Sequence, residues 1–239
     1  MERWDDRTRL LLGDVGMACL AQTRVLVVGV GGVGGYAAEM LVRSGVGRIT
    51  IIDADSVSVT NLNRQLIALA DDVGKPKVEL FAERFRRINP EVEVDARCEF
   101  VTPESVEPLL DEGYDYVVDA IDTVAPKVAL IAACLRTRTQ LVSSMGAGGR
   151  LDPTRVGYFD LWETREDGLA RAVRQRLKKM GLRRPVAVVA STEAPRHSAV
   201  IELDERNKRS SFGTLATIPS LFGIFLANKV IYDRTQKHM

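Results

Sequence analysis

Cysteine and histidine are both scarce in this chain of 239 residues, which holds three of the first and two of the second. Cys19, Cys98 and Cys134 form no Cys-x-x-Cys pair. That excludes a disulfide scaffold and a cysteine zinc knuckle and points to a reducing compartment. His197 and His238 stand in no motif and are read as bystanders. Long apolar runs are missing as well. The one suspicious stretch, Phe212 to Leu226, is interrupted by Pro219 and runs into Asn228-Lys229, short of the roughly 20 residues a membrane span needs. It reads as a buried C-terminal helix. The opening Met1-Glu2-Arg3-Trp4-Asp5-Asp6-Arg7 is charged where a secretory leader needs its apolar core, so a cytoplasmic protein with no membrane span is expected. Net charge is only +1, but it hides an asymmetry. Residues 1–150 carry 17 basic and 22 acidic side chains and residues 151–239 carry 16 and 10, so the first part is −5 and the second +6.

What is present is 46% hydrophobic and 27% charged residues, enough to bury one large core and to exclude disorder or a collagen-like chain. Strand and helix patterns alternate. Arg24 to Val28 is a short β-branched run ending in glycines, Tyr36 to Ser44 has helical periodicity, and Ile49 to Ile52 is a second strand, which makes a βαβ unit. Gly74 to Ile88 reads as helix, Val92 to Ala96 as strand and Tyr116 to Ala120 as a fully buried strand. Leu130 to Arg138 then reads as helix and Gln140 to Ser143 as strand. Right-handed crossovers between such strands give a mostly parallel sheet. The expected class is α/β, Rossmann-like, with helices on both faces of the sheet and a C-terminal elaboration. No linker rich in Pro, Gly and Ser divides the chain, so residues 1–239 are expected to form one domain: a nucleotide-binding core over 1–150 and a basic elaboration over 151–239.

Gly29-Val30-Gly31-Gly32-Val33-Gly34 fits G-x-G-x-x-G between a strand and a helix. Such a loop lets backbone approach a phosphate while the helix N-terminus offers free N–H groups and positive potential. Asp53, at the end of the next strand, stands where a carboxylate can accept hydrogen bonds from ribose hydroxyls. Up to this point NAD fits equally well. Asp53-Ala-Asp55 is followed by Asn61-Leu-Asn63-Arg64-Gln65 and then by Lys77 near a helix start. A hydride-transfer enzyme needs none of these, whereas a fork-shaped guanidinium and a point cation both suit the charge of a triphosphate. Asp119-Ala-Ile-Asp122-Thr123 puts carboxylates at the carboxyl edge of the sheet, a natural place for Mg²⁺ bound to phosphates.

This run of motifs resembles the adenylating enzymes related to ubiquitin-activating enzyme, including the ThiF, MoeB and HesA proteins. The resemblance implies ATP and Mg²⁺ as cofactors, Asp53 on ribose, Asn61 and Arg64 at the reacting phosphates, Lys77 on phosphate and Asp122 on Mg²⁺, with Gly29, Gly31, Gly32, Gly34 and Asp55 completing the nucleotide site. It also implies a homodimer in which Arg7, with Arg9 as a rival, reaches the neighbouring subunit's ATP. Gly146-Ala-Gly-Gly-Arg-Leu-Asp-Pro-Thr154, Asp167-Gly-Leu-Ala-Arg171, Ser191-Thr-Glu193-Ala and Lys208-Arg-Ser-Ser-Phe-Gly213 are similar to the tRNA threonylcarbamoyladenosine dehydratase branch. That branch activates the carboxylate of a threonylcarbamoyl group on tRNA and cyclises it. The alternative is adenylation of the C-terminal glycine of a ubiquitin-like sulfur-carrier protein, with a sulfur-transfer protein as partner; that branch usually shows two Cys-x-x-Cys pairs, which are missing here.

The charge pattern independently suits tRNA. Arg171, Arg174, Arg176, Lys178, Lys179, Arg183 and Arg184 fall in a stretch with no acid, and Arg171, Arg174 and Lys178 share one helical face, a plausible seat for a phosphate backbone. Tyr158, Phe159 and Trp162 are the nearest aromatic groups.

Overall fold

A computed structural model describes residues 3–205 and 208–236. A seven-stranded sheet is built from β1 (Arg24–Val28), β2 (Arg48–Ile52), β3 (Glu93–Arg97), β4 (Tyr116–Asp119), β5 (Gln140–Ser144), β6 (Val156–Asp160) and β7 (Ala187–Ser191). Its spatial order is β3-β2-β1-β4-β5-β7-β6. Every pairing is parallel except that of β6 with β7. A separate hairpin joins β8 (Val200–Glu205) to β9 (Lys208–Phe212).

Strands β1, β2 and β4 read as almost unbroken apolar runs because both faces of the sheet are covered. Val25, Val27, Ile49 and Ile51 pack on one face against α2 (Gly34–Arg43), α3 (Lys77–Ile88) and α7 (Thr217–Thr235). Leu26, Val28, Ile52 and Val117 pack on the other face against α4 (Val106–Asp111) and α5 (Val124–Thr137), and α6 (Gly168–Lys179) extends that layer over β7. Alternate residues of one strand therefore serve opposite layers. The α/β class and the mostly parallel sheet agree with the sequence pattern.

Several boundaries differ from it. The helix expected from Leu130 begins at Val124, and the one expected from Phe212 begins at Thr217 and runs to Thr235. Pro126 and Pro219 both fall in a first helical turn, where a missing N–H forfeits no intrahelical bond, so neither proline marks an end. Phe212 belongs to β9. The helix expected from Gly74 starts only at Lys77, after Pro76. An N-terminal helix, α1 (Asp6–Gln22), has no counterpart in the sequence reading, and it breaks at Gly13, where φ is 68°. The C-terminal helix is buried, as expected: α7 lies so close on α2 that a Cβ at Gly223 would sit 2.3 Å from the Val33 carbonyl oxygen. Among the described residues no helix is long and apolar enough to cross a membrane.

Strand order turns at β1 and β4. From β1 the chain winds outward through β2 to β3, and then returns to β4 on the other side of β1. The crossovers diverge there, and a crevice opens at the carboxyl ends of these two strands, the usual place for a ligand in an open parallel sheet.

Candidate active site

The loop leaving β1 lies in that crevice. Gly29 has φ 86°, and a Cβ on it would stand 2.9 Å from the Ala120 carbonyl oxygen. At Gly34 a Cβ would fall 1.8 Å from the Gly29 carbonyl oxygen, so only glycine closes this turn. Gly31 and Gly32 do something else. The nearest atoms to a Cβ at Gly31 begin at 3.7 Å with Gln65 Nε2, and at Gly32 with Pro219 at 3.4 Å and Arg64 Cγ at 3.5 Å. The loop therefore turns bare backbone toward Arg64 and Gln65. Val33, at the start of α2, contributes no side-chain cap, and the helix N-terminus keeps its attraction for an anion.

Asp53 anchors this loop from the end of β2. Its Oδ2 accepts the Val30 N–H at 2.8 Å and its Oδ1 the Asp55 N–H at 2.9 Å. Burial is the largest influence on the Asp53 carboxyl and holds its pKa above the ordinary carboxylate value, against the charge of Lys77 and the two N–H bonds. Lys77, buried on the first turn of α3, donates to Asp55 Oδ2 at 2.8 Å and stands 3.9 Å from Asp53 Oδ1. Asp55 is mostly exposed, so a phosphate entering here would compete with it for the ammonium group.

A tight turn carries the amide cluster. Asn61 is buried and its Oδ1 accepts the Ser58 N–H at 3.1 Å, while its carbonyl accepts the N–H groups of Arg64 and Gln65. Arg64 is half-buried, and among the described residues its hydrogen bonds run through Nη1, to the Thr60 carbonyl at 2.6 Å and Asn63 Oδ1 at 3.1 Å. Gln65 closes the sequence motif, which by itself assigns it no role. It is buried, and its Oε1 has no hydrogen-bond partner among the described residues. A buried acceptor left unpaired beside bare backbone costs stability unless something donates to it. The amide cluster thus fits a polar ligand in the crevice.

The two carboxylates after β4 take different positions. Asp119 ends β4, at the carboxyl edge where the sequence pattern puts it, but its carboxylate is fully buried and paired with Lys127 at 2.6 Å. Asp122 is exposed, in the loop before α5. The structure separates the two N-terminal arginines as well. Arg9 is tied to Asp5 at 2.9 Å and also to Asp14, whereas Arg7 is exposed on α1.

On α6, Arg171 and Lys178 are exposed. Arg174 is not equivalent to them: its Nη1 turns inward to the Leu161 carbonyl at 3.1 Å and to the Thr164 hydroxyl. Helical spacing alone could not show that a carbonyl and a hydroxyl wait on that side. Cys134 is buried, and burial followed by the charge of Asp119 pushes its thiol up to about 12. Cys19 Sγ donates to the Arg234 carbonyl at 3.0 Å, and Cys98 is exposed at the end of β3. His238 lies outside the described residues.

A glycine loop between first strand and first crossover helix, an acid after the second strand and a ligand crevice at the turn of strand order define a Rossmann-like α/β protein with the cradle of a nucleotide. The sequence matches the ThiF family over residues 6–232, and the chain belongs to that family. It is 43% identical over 238 residues to the tRNA threonylcarbamoyladenosine dehydratase of Bacillus subtilis, covering 95% of this chain and 92% of that one. With the Escherichia coli protein of the same description it shares 49% identity over 180 residues, 74% of this chain and 67% of the other. The crystal structure of E. coli tRNA N6-threonylcarbamoyladenosine dehydratase in complex with ATP is similar in fold, with a TM-score of 0.90, 41% identity, and coverage of 98% of this chain and 94% of that one.

Proposed function

We propose that this protein is an ATP-dependent tRNA threonylcarbamoyladenosine dehydratase acting through an acyl-adenylate, and that the whole chain works as one adenylating unit with residues 151–239 serving the substrate. The observation that carries the chemistry is the bare backbone of Gly31 and Gly32 beside the Arg64 and Gln65 side chains, with the buried Gln65 Oε1 lacking a hydrogen-bond partner among the described residues. The full-length likeness to dehydratases carries the substrate. The missing Cys-x-x-Cys pairs weigh against the sulfur-carrier alternative.

A carboxylate oxygen of the substrate attacks the α-phosphate of ATP in line, pyrophosphate leaves, and an acyl-adenylate forms. Arg64, Lys77 and a partner's Arg7 hold the charge of the phosphates, Asn61 shapes the turn beneath them, and Asp53 orients the glycine loop and meets ribose. A nitrogen of the same threonylcarbamoyl group then closes on the activated carbonyl, losing its proton and releasing AMP. Both reactants belong to one molecule, so high effective molarity takes the place of a covalent enzyme intermediate. The net organic change is loss of one water. Mg²⁺ fits Asp122, since this cation takes one or two protein carboxylates and completes its shell with phosphate and water; it would supply charge neutralisation at the departing pyrophosphate. Among the described residues no group of three Asp, Glu, His or Cys side chains could hold a metal by itself.

Incubating the protein with Mg-ATP and threonylcarbamoyl-modified tRNA, then digesting the tRNA for mass spectrometry, should show the modified nucleoside lighter by one water, with AMP formed in equal amount. An acyl-adenylate on a sulfur-carrier protein, with the tRNA untouched, would favour the alternative.

Two further expectations belong to this reading. Arg171→Glu with Lys178→Glu should weaken tRNA binding about tenfold and lower the salt slope by about two, because fewer counterions are released, while ATP binding persists. Arg174 is left out because its guanidinium anchors α6 to the turn at Leu161–Glu163. Equal loss of ATP affinity would signal misfolding instead. The protein with all three cysteines changed to serine should keep ATP-dependent dehydration, since two of the thiols pack within the fold and cyclisation needs no thioester. Intact adenylation without cyclisation in a folded Cys98→Ser protein would revive a thioester route.

A further inference from the structure

The most deeply buried charges in the crevice belong to side chains that the proposed chemistry does not touch. Asp119 and Lys127 are both wholly buried. The Lys127 ammonium donates to Asp119 Oδ2 at 2.6 Å, to Ser143 Oγ at 3.1 Å and to the Ser144 carbonyl at 2.9 Å, which employs all three of its protons. Ser143 Oγ in turn donates to Asp119 Oδ2 at 2.6 Å. The remaining oxygen, Oδ1, accepts the Ile121 N–H at 3.0 Å. One carboxylate thus joins the end of β4, the end of β5 and the first turns of α5 to the loop that carries Asp122.

That loop is also fixed on its other side. The Ala120 N–H donates to the Val28 carbonyl at 2.9 Å, and the Ala120 carbonyl stands against Gly29 so closely that a Cβ there would be 2.9 Å away. The segment 120–123 is therefore held between the glycine loop and the buried pair. A buried ion pair is weak evidence for stability, because apolar side chains of similar volume often serve the fold as well. What apolar side chains cannot supply is an acceptor for the Ile121 N–H.

We infer that Asp119 and Lys127 are positioning residues for metal binding: their pair clamps the loop 120–123 against the glycine loop and so presents Asp122 to the metal on the nucleotide. The inference rests on the adenylating reading and on Asp122 meeting the metal. It gives a role to two side chains that reach neither nucleotide nor substrate.

The test measures Mn²⁺ binding by electron paramagnetic resonance in the complex of the full-length protein with a non-hydrolysable ATP analogue, together with hydrogen exchange at the Ile121 amide. Asp119→Leu/Lys127→Met removes both charges at similar volume and leaves the Ile121 N–H without its acceptor. It should fold, raise the Mn²⁺ dissociation constant by about tenfold, as loss of a group supporting a metal ligand does, and speed exchange at Ile121. Asp119→Asn/Lys127→Gln keeps neutral hydrogen bonds, so its loss should be about threefold; it decides the question alone should the first variant not fold. Wild-type Mn²⁺ affinity with wild-type exchange at Ile121 in a folded pair variant would overturn the inference. Asp122→Ala distinguishes the two levels of the argument. If it weakens Mn²⁺ binding while the pair variants do not, only the positioning role falls. If it leaves Mn²⁺ affinity unchanged, the assignment of Asp122 to the metal falls, and the inference with it.

Discussion

Asp122→Ala is expected to lower AMP formation roughly 100- to 1000-fold, a loss of about 3 to 4 kcal/mol of transition-state stabilisation, the range seen when one electrostatic group at a developing charge is removed. Asp122 is exposed and follows a buried strand, so the substitution opens no cavity. Exposed positions of this kind change stability by about 1 kcal/mol or less. Thermal unfolding close to wild type, combined with a collapse of pyrophosphate exchange, would separate a chemical role from a structural one. Raising the Mg²⁺ concentration should restore part of the activity, because a metal that has lost one ligand is held by the nucleotide alone. Unchanged AMP production would remove Asp122 from the site.

The contrast with Asp119 shows how far the sequence could be read. Both carboxylates stand in one short motif after a buried strand, and a pattern of residue types treats them alike. Their separation depends on Lys127, eight residues on in a helix whose start Pro126 obscures, and on Ser143 near the end of the neighbouring strand. Contacts of this kind arise only when β4 and β5 lie side by side. The strands themselves were legible because burial on both faces demands uninterrupted apolar runs, and the glycine loop because its tight turn admits no other residue. Strands β6 and β7 and the hairpin of β8 and β9 were not legible. β7 is a short apolar run, Ala187–Ser191, of the kind that a buried helix segment shows equally well, β6 mixes Gly157 and Asp160 with its apolar residues, and nothing local announces that β6 runs antiparallel at the edge. The inward bonds of Arg174 to the Leu161 carbonyl and the Thr164 hydroxyl are illegible for a related reason: helical spacing fixes which side chains share a face but not what that face meets.

Mixing two inactive proteins, Arg7→Ala and Asp122→Ala, should restore activity to about a quarter of the wild-type level. In a twofold dimer with equal exchange of subunits, half the dimers are mixed, and each mixed dimer has one site that keeps both residues and one that keeps neither. The expectation rests on Arg7 acting across the interface. Within the chain, Arg9 is already occupied by Asp5 and Asp14, while Arg7 is exposed on the same helix. Close by, Leu10 and Leu11 are 87% and 78% exposed and Val15 is 61% exposed. Clustered apolar exposure of this extent favours contact with another chain over contact with water. A second mixture sharpens the test. A chain carrying both substitutions, mixed with wild type, leaves mixed dimers with no complete site, because the intact Asp122 faces a partner without Arg7. The same mixture would retain one working site per mixed dimer if Arg7 acted on its own subunit. Mixtures of the two single variants that exchange subunits, as followed by native mass spectrometry, and yet stay inactive would refute the shared site.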